Sequence, residues 1–588
     1  MCAVLPGVAT DGGGERSSAP GHGAGGKTGS VMNFDRQQHL ARLADDTFDV
    51  LVIGGGITGA GVALDAAARG LRTALVERDD FASGTSSKSS KMIHGGLRYL
   101  QQGDVRLVYE ALAERQRLRK NAPHLVQLLP FLLPFFTGRD GVIPKGLTRA
   151  LGSAMWMYDF TGGARIGKLH ERLSKDEVLE YMPTLPSERV AGGYLYYDAA
   201  ADDARLTLAV VRTAALEFGA AVANGVAVTG LLKDADGRVR GASVRTAEGR
   251  EFDVHAQAVV NAGGVWSDDL RALDEGTHPD SIRPAKGIHV TVPWSMVRNR
   301  IAVVVPVPKD KRSVFVVPWG GVPGGEPRFT YIGTTDTDYD GPLDDPQCTP
   351  EDVEYLLRAI NFSVAGGGIG PEHIVGTWAG LRPLVKSASS GRTADLSRGH
   401  RIAVSGSGVV TITGGKLTTY RHMAADTVDT VVERLGRSVE GRVARRSTTR
   451  KLHLRGAEGF DELRQSDDDR IVVLAHRHGG DARVVLAMVE ADPALGEPLV
   501  PGTDYLRAEA VYAARYEMAR TLADVLARRT RALLQAREAS VAAAPDIATL
   551  LAPELGWDGA ETERQLAAYR IVAQKEATAV AGAGQLLS

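Results

Sequence analysis

Residues 48–77 constrain the chain more than any other stretch. Phe48-Asp49-Val50-Leu51-Val52-Ile53 is a short apolar run rich in β-branched residues, the pattern of a parallel strand buried on both faces. It breaks into Gly54-Gly55-Gly56-Ile57-Thr58-Gly59, a G-x-G-x-x-G. The alanine-rich Ala60 to Arg69 reads as a helix ended by Gly70, Leu71 to Val76 as a second strand, and Glu77 stands at its end. Gly54 allows the tight turn, Gly56 lets backbone approach a pyrophosphate, and Gly59 lets helix pack close on strand. The helix N-terminus adds N–H groups and a positive dipole end. Glu77, 18 residues after Gly59, is placed to accept hydrogen bonds from a ribose diol. In a chain with 68 glycines a lone G-x-G-x-x-G is weak, but strand, helix, strand and terminal acid in register read as a dinucleotide-binding unit.

Composition narrows the remaining choices. At 588 residues, length alone suggests about three to four domains. A net charge of −2 argues against nucleic acid as a partner, because such binders carry a strongly basic footprint. Two cysteines, Cys2 and Cys348, argue against a disulfide framework and suit a reducing compartment. Residues 1–40 open with a Gly-, Ser- and Ala-rich run and read as a disordered tail without a signal-peptide core. Leu125 to Phe136 is the longest apolar stretch; it contains Gln127, Pro130 and Pro134 and is too short to span a bilayer. Burial is its favoured reading, an apolar surface loop the other.

Past Glu77 and Arg78 the chain enters Phe81-Ala82-Ser83-Gly84-Thr85-Ser86-Ser87-Lys88-Ser89-Ser90-Lys91, whose hydroxyls and amides can wrap a phosphate or ribityl chain. Met92-Ile93-His94-Gly95-Gly96-Leu97-Arg98-Tyr99-Leu100 follows, with glycines that let backbone crowd a flat ring and an arginine fork for an oxyanion. The run from Ser87 to Leu100, with the glycine-rich turn before it, resembles the FAD-dependent glycerol-3-phosphate dehydrogenase family, within the D-amino-acid-oxidase-like flavoproteins. Five further motifs agree, in order: Val259 to Ser267, Arg283-Pro284-Ala285-Lys286-Gly287-Ile288-His289, Ile332 to Asp336, Trp378 to Leu384, and Gly414-Gly415-Lys416-Leu417-Thr418-Thr419-Tyr420-Arg421. The resemblance covers about residues 45–580. The tail before residue 40 and Gly264, where many relatives have another residue, depart from it.

The resemblance implies an α/β plus α fold: a Rossmann-type FAD-binding domain, an inserted α+β substrate domain and a C-terminal helical cap. The FAD-binding domain is expected in three pieces, 45–120, 190–285 and 375–440. The substrate domain takes 120–190 and 285–375, and the cap 445–588. Ala201 to Gly219 reads as a helix, and Gly225 to Leu232 and Arg238 to Val244 as strands. Ala510 to Ala536 has helical apolar spacing, with Arg515, Arg520, Arg528, Arg529 and Arg531 on the same element. A solvated face is the ordinary reading of those arginines; an anionic membrane surface or a dimer seam is the alternative.

By the same resemblance FAD is the cofactor, and no metal is expected. FAD would contact Gly54, Gly56, Ile57, Thr58, Gly59, Glu77, Arg78, Ser83, Thr85, Ser86, Ser87, His94, Gly95, Gly96, Leu97, Val226, Ala262, Gly263, Trp266, Gly414, Gly415, Lys416, Leu417 and Thr418. Arg98, Tyr99, Arg382, Arg398 and Lys416 are the candidates for substrate binding, and His94, Arg382 and Lys416 for catalysis. Oxidising a secondary alcohol removes a hydride, which the flavin takes at N5, and a proton, for which His94 is the candidate. The implied reaction takes sn-glycerol 3-phosphate to dihydroxyacetone phosphate and passes electrons to a quinone. A peroxide-forming oxidase of the same fold and a catalytically silent flavoprotein scaffold are the competing readings. A cytoplasmic protein, peripheral on the membrane's cytoplasmic face and homodimeric, completes the expectation, with Leu125–Phe136 and the cap arginines as the membrane-facing stretches.

Overall fold

The computed structural model describes residues 34–95, 105–136, 168–308, 310, 312–366, 368–386, 399–436, 438–439 and 442–587. Two sheets organise them. In the first, strand Thr47–Ile53 lies between Thr73–Val76 and Glu251–Asn261, parallel to both. Ala221–Ala223 extends one side in parallel and Val410–Gly414 the other. Alternation of side chains sends Val50 and Val52 to one core and Leu51 and Ile53 to the other. The first core is filled by helices Ile57–Ala68, Asp203–Leu216 and Tyr420–Leu435, which explains why the alanines of the first helix are buried. Asp35 caps helix Arg36–Asp45, whose Leu40 and Leu43 enter the second core. Residues 36–40, expected in the tail, are thus ordered by burial of that helix; residues 1–33 lie outside the described residues.

Register positions the site. Ile53 stands opposite both Val76 and Asn261, so three parallel strands end level and release their turns at one edge. Ligands of open α/β sheets bind at this carboxyl edge.

Among the described residues the second sheet has ten strands. Ile282–Pro293 pairs antiparallel with Phe329–Gly333 and with Gly376–Val385, while Val126–Phe136 pairs antiparallel with Val190–Ala201. Pairing, not sequence position, therefore sets the handover between sheets. Val190–Ala201 and Gly376–Val385, expected in the FAD-binding pieces, belong to the second sheet. Val126–Phe136 is an interior strand with no exposed residue, so it offers no apolar loop to a membrane.

The helix expected over Ala510–Ala536 is broken into Arg507–Tyr516, a π-type turn at Asp524–Arg529 and Ala532–Gln535. The break points three arginines inwards. Arg528 and Arg529 reach Asp80 at 2.6 and 2.7 Å. Arg531 lies 2.6 Å from both Asp202 and Asp203, and its side chain is only 1 % exposed. Arg515 and Arg520, nearer the surface, pair with Glu554 and Glu248. Arg520, Arg528, Arg529 and Arg531 thus dock the helical region on the rest of the chain, while Arg515 pairs within it at the surface. Burial raises the Asp202 carboxyl, but the Arg531 charge overrides it and holds the group below the usual carboxylate range.

Arg531→Ala leaves the buried Asp203 carboxylate with Lys91 as its one ion-pair partner and the half-buried Asp202 without its arginine, a loss of about 3–5 kcal/mol by the usual cost of breaking a buried pair. A fall of several degrees in the thermal unfolding midpoint, partly restored in Arg531→Lys, is the expected outcome.

Candidate functional site

Three turns meet at the carboxyl edge of the first sheet. Gly54 adopts φ +110°, and a Cβ there would sit 2.7 Å from the Ala262 carbonyl oxygen. A Cβ on Gly59 would sit 1.9 Å from the Gly54 carbonyl oxygen, so only glycine lets the helix start this close to the strand. Gly56 caps that helix, and the Ile57 N–H at its first turn donates to Ser86 Oγ at 2.9 Å. The Glu77 carboxylate accepts from the Gly55 and Asp79 amides at 2.6 and 2.9 Å. Burial nonetheless pushes the Glu77 carboxyl up to about 7, the two amides acting against it.

These groups line a cavity of about 370 Å³ running from Glu77 and Val226 to Gly414–Leu417. Gly54, Gly56, Ile57, Thr58, Arg78, Ser83, Thr85, Ser86, Ala262, Gly263 and Trp266, all expected at the cofactor, line it too. A second cavity of about 200 Å³ shares Ile57, Thr85, Ser86, Lys416 and Leu417 with the first. The two form one elongated space: an acid and a helix N-terminus at one end, glycine backbone in the middle, cations at the other. That donor set fits a dinucleotide carrying a flat ring, with the ring end over Gly415–Leu417.

The ring end gathers His94, Arg382, Lys416 and Thr418, expected from sequence, with His289, Ser90 and Thr334, which were not. Arg382 stands opposite Ala285 across the strand pair. Asp336, Thr334 Oγ1 and the Thr335 carbonyl hold its guanidinium at 3.2, 3.2 and 3.1 Å, fixing the plane of the fork. His289 stacks on Trp378 at 4.6 Å and 8°, with Nε2 2.9 Å from Ser90 Oγ. Its Nδ1 is buried without a hydrogen-bond partner among the described residues. Burial, then the Lys91 and Arg382 charges, hold its pKa well below the usual imidazole value, so the ring is neutral. The signal for His289 lay in Arg283–His289, which sequence reading took only as the way into the substrate domain. Trp378 opens the motif Trp378 to Leu384, but its stack on His289 follows from the strand register, which sets the two residues opposite each other.

Gly95 donates its N–H to Asp198 at 3.0 Å, and Ser87 faces a third cavity rather than the first. Gly96, Leu97, Arg98, Tyr99 and Arg398 lie outside the described residues. Among the described residues no cluster of His, Cys, Asp or Glu is arranged to hold a metal ion.

Comparison with known proteins follows the same outline. The family described as FAD dependent oxidoreductase matches residues 49–421, and the C-terminal domain of alpha-glycerophosphate oxidase matches residues 447–562. Over 563 residues the chain is 41 % identical to glycerol-3-phosphate dehydrogenase 2 of Mycobacterium tuberculosis, covering 94 % of this chain and 92 % of that one. It is 37 % identical to the mitochondrial glycerol-3-phosphate dehydrogenase of Homo sapiens, covering 91 % of this chain and 74 % of the relative. The X-ray structure of glycerol-3-phosphate dehydrogenase from Bacillus halodurans complexed with FAD matches at a TM-score of 0.72 and 30 % identity, covering 92 % of this chain and 98 % of that one.

The Glu77 geometry has a pH signature. A carboxyl raised from its ordinary value to about 7 binds more protons folded than unfolded between those two values. Its contribution to stability is therefore undiminished below the ordinary carboxylate pKa, declines as pH rises towards 7, and is lowest above it. In the cofactor-free protein Glu77→Gln should flatten that part of the stability–pH curve, measured by urea unfolding from pH 4.5 to 8. An unchanged slope would place the Glu77 carboxyl in an ordinary aqueous environment.

Proposed function

The chain belongs to the FAD-dependent glycerol-3-phosphate dehydrogenase family, with FAD as its cofactor, and from that premise we propose that it oxidises sn-glycerol 3-phosphate to dihydroxyacetone phosphate and delivers the electrons to a quinone. The observation that carries this reading is the convergence of Arg382 and Lys416 with a neutral His289 on the cavity at the ring end of the cofactor site. A phosphate dianion in a partly dry cavity calls for cationic donors, and a planar fork bonds its oxygens two at a time. Bound FAD supplies a two-electron, hydride-accepting group there.

The chain's own residues have three tasks. Arg382, its plane fixed by Asp336 and Thr334, and Lys416 hold the phosphate. Trp378 and Ser90 fix the imidazole of His289. A neutral imidazole has one ring nitrogen able to accept a proton, so His289 is assigned the substrate hydroxyl proton. His94, on the same cavity, is then a wall of the ring site rather than the base. Dihydroxyacetone phosphate follows as the product, since loss of the carbon hydride and hydroxyl proton from the secondary alcohol leaves a ketone.

A quinone acceptor resides in a bilayer, and we place the encounter at the membrane surface. No helix among the described residues is long and apolar enough to cross a membrane. The peroxide-forming alternative draws support from the match of residues 447–562 to a domain named after an oxidase.

One anaerobic experiment separates the readings. Adding sn-glycerol 3-phosphate should bleach the oxidised flavin, and a soluble quinone should restore its colour faster than air-saturated buffer does. Faster recovery in air with peroxide accumulating would favour the oxidase, and no bleaching the silent scaffold. Arg382→Lys keeps the charge but loses the fork, so kcat/KM should fall about tenfold or more with flavin content unchanged. His289→Asn should lower the bleaching rate by about a hundredfold or more, the usual contribution of a general base. A larger loss in His94→Asn than in His289→Asn would return the proton to His94.

A further inference from the structure

Three glycines interrupt the strands of the second sheet at the ring-end cavity. Gly287 lies in Ile282–Pro293 and Gly380 in Gly376–Val385, and both line the cavity; Gly333 ends Phe329–Gly333, just before Thr334, which lines it too. None of the three adopts the left-handed backbone that favours glycine. Glycine weakens a strand interior, so its use there points to a close approach rather than to a special conformation. The neighbours show what approaches. A Cβ on Gly287 would sit 2.4 Å from Arg382 Nη2 and 2.5 Å from Thr334 Oγ1. One on Gly333 would sit 2.1 Å from His289 Cδ2, and one on Gly380 2.5 Å from the Lys88 carbonyl oxygen.

Strand register turns these contacts into a distance. On one face of the antiparallel pair Ala285 stands opposite Arg382, Gly287 opposite Gly380, and His289 opposite Trp378. The Arg382 main chain is therefore two same-face rungs from His289. Its guanidinium leans back over Gly287, where Nη2 donates to Thr334 Oγ1 and the Thr335 carbonyl, and Nη1 to Asp336. The imidazole stays at its own rung, stacked on the Trp378 indole with its Cδ2 edge over the bare backbone of Gly333, its partner on the next strand. One rung is left between fork and ring, about 7 Å for two residues of antiparallel strand.

On the glycerol-phosphate reading above, on which this inference rests, we propose that Gly287 is a positioning residue that determines specificity: by admitting the Arg382 fork over its backbone it sets the separation of fork and imidazole, and so selects a phosphate ester whose hydroxyl lies on the carbon next to the esterified one. In such a molecule one carbon–carbon bond joins the phosphate-bearing carbon to the alcohol carbon, and its two polar ends meet both groups across a single rung. One more methylene carries the hydroxyl past His289 while the phosphate stays on the fork. A methyl group on Gly287 would push the fork towards its own rung and lengthen the gap. The nearest atoms that methyl would meet all belong to Arg382 and Thr334, so its effect enters through the fork and its tether.

The test compares two esters that differ by one methylene, glycerol 3-phosphate and 3,4-dihydroxybutyl phosphate, by anaerobic bleaching of the FAD-loaded enzyme. Wild type should favour the shorter ester in kcat/KM by about tenfold or more, since a reacting group misplaced by an ångström or more is costly. Gly287→Ala should lower kcat/KM for glycerol 3-phosphate about tenfold or more without lowering it for the longer ester, at unchanged flavin content. Calorimetry on the oxidised enzyme should show dihydroxyacetone phosphate bound more weakly in the variant. In an Arg382→Lys background, whose thinner side chain leaves room for the methyl group, Gly287→Ala should cost little more, the coupling expected of residues in contact. Equal use of both esters by wild type, losses by the same factor with both in Gly287→Ala, or additive losses in the double variant would overturn the assignment. So would a loss of flavin in Gly287→Ala that Arg382→Lys does not restore. Each of these spares the dehydrogenase reading, whereas wild-type enzyme that glycerol 3-phosphate does not bleach would overturn both.

Discussion

Asp203 is the group on which the site's construction depends. It is fully buried at the start of helix Asp203–Leu216, where unsatisfied backbone N–H groups favour a negative charge. One carboxylate oxygen accepts from Lys91 at 3.0 Å and from Arg531 at 2.6 Å. The other accepts from the amide and hydroxyl of Ser89 at 2.9 and 2.7 Å. One side chain of the cofactor domain thereby fixes the hydroxyl-rich loop and receives the helical cap. The consequences reach the second sheet, because the Ser89 carbonyl accepts from Trp378 and Ser90 holds His289. A buried cluster of this kind adds little net stability for its desolvation cost; its value here lies in geometry. Without the acid, the loop's backbone would have no fixed partner on the helix side.

Much of the cofactor end was legible because its chemistry is local. Gly54, Gly59 and Glu77 act through one turn, one helix and one strand end, all within thirty residues, and periodicity fixes each of those elements. The hairpin Val226–Lys233 and Val239–Thr246 was equally readable, since Asp234 to Gly237 closes it with short-range hydrogen bonds. Arg382 and Lys416 were reached through motifs whose glycines and proline mark close backbone approach.

What sequence reading missed was decided by partners far along the chain. Helical spacing over Ala510–Ala536 is real, yet Asp80, Asp202 and Asp203 draw three arginines inwards, and the helix breaks to let them. Charged residues on an amphipathic pattern normally mark the solvent side, so no local rule would have turned them round. Val126–Phe136 was ambiguous for the related reason that an apolar run shows burial but not the strand it pairs with. His289 was present in a quoted motif, but its neutrality comes from burial and from Lys91 and Arg382, which the sheets bring together.

The link between Arg531 and the Ser87 carbonyl spans 444 positions of chain. During synthesis the cofactor loop emerges early and its cap partner almost last. At about 5–20 residues per second, roughly 20–90 s separate the two. From its own synthesis until the cap appears, Asp203 has Lys91 and Ser89 as its side-chain partners on the cofactor loop, and the cofactor cavity lacks its outer support. A nascent chain of this protein therefore presents its glycine turn and helix N-terminus to solvent long before the cap can close over the loop.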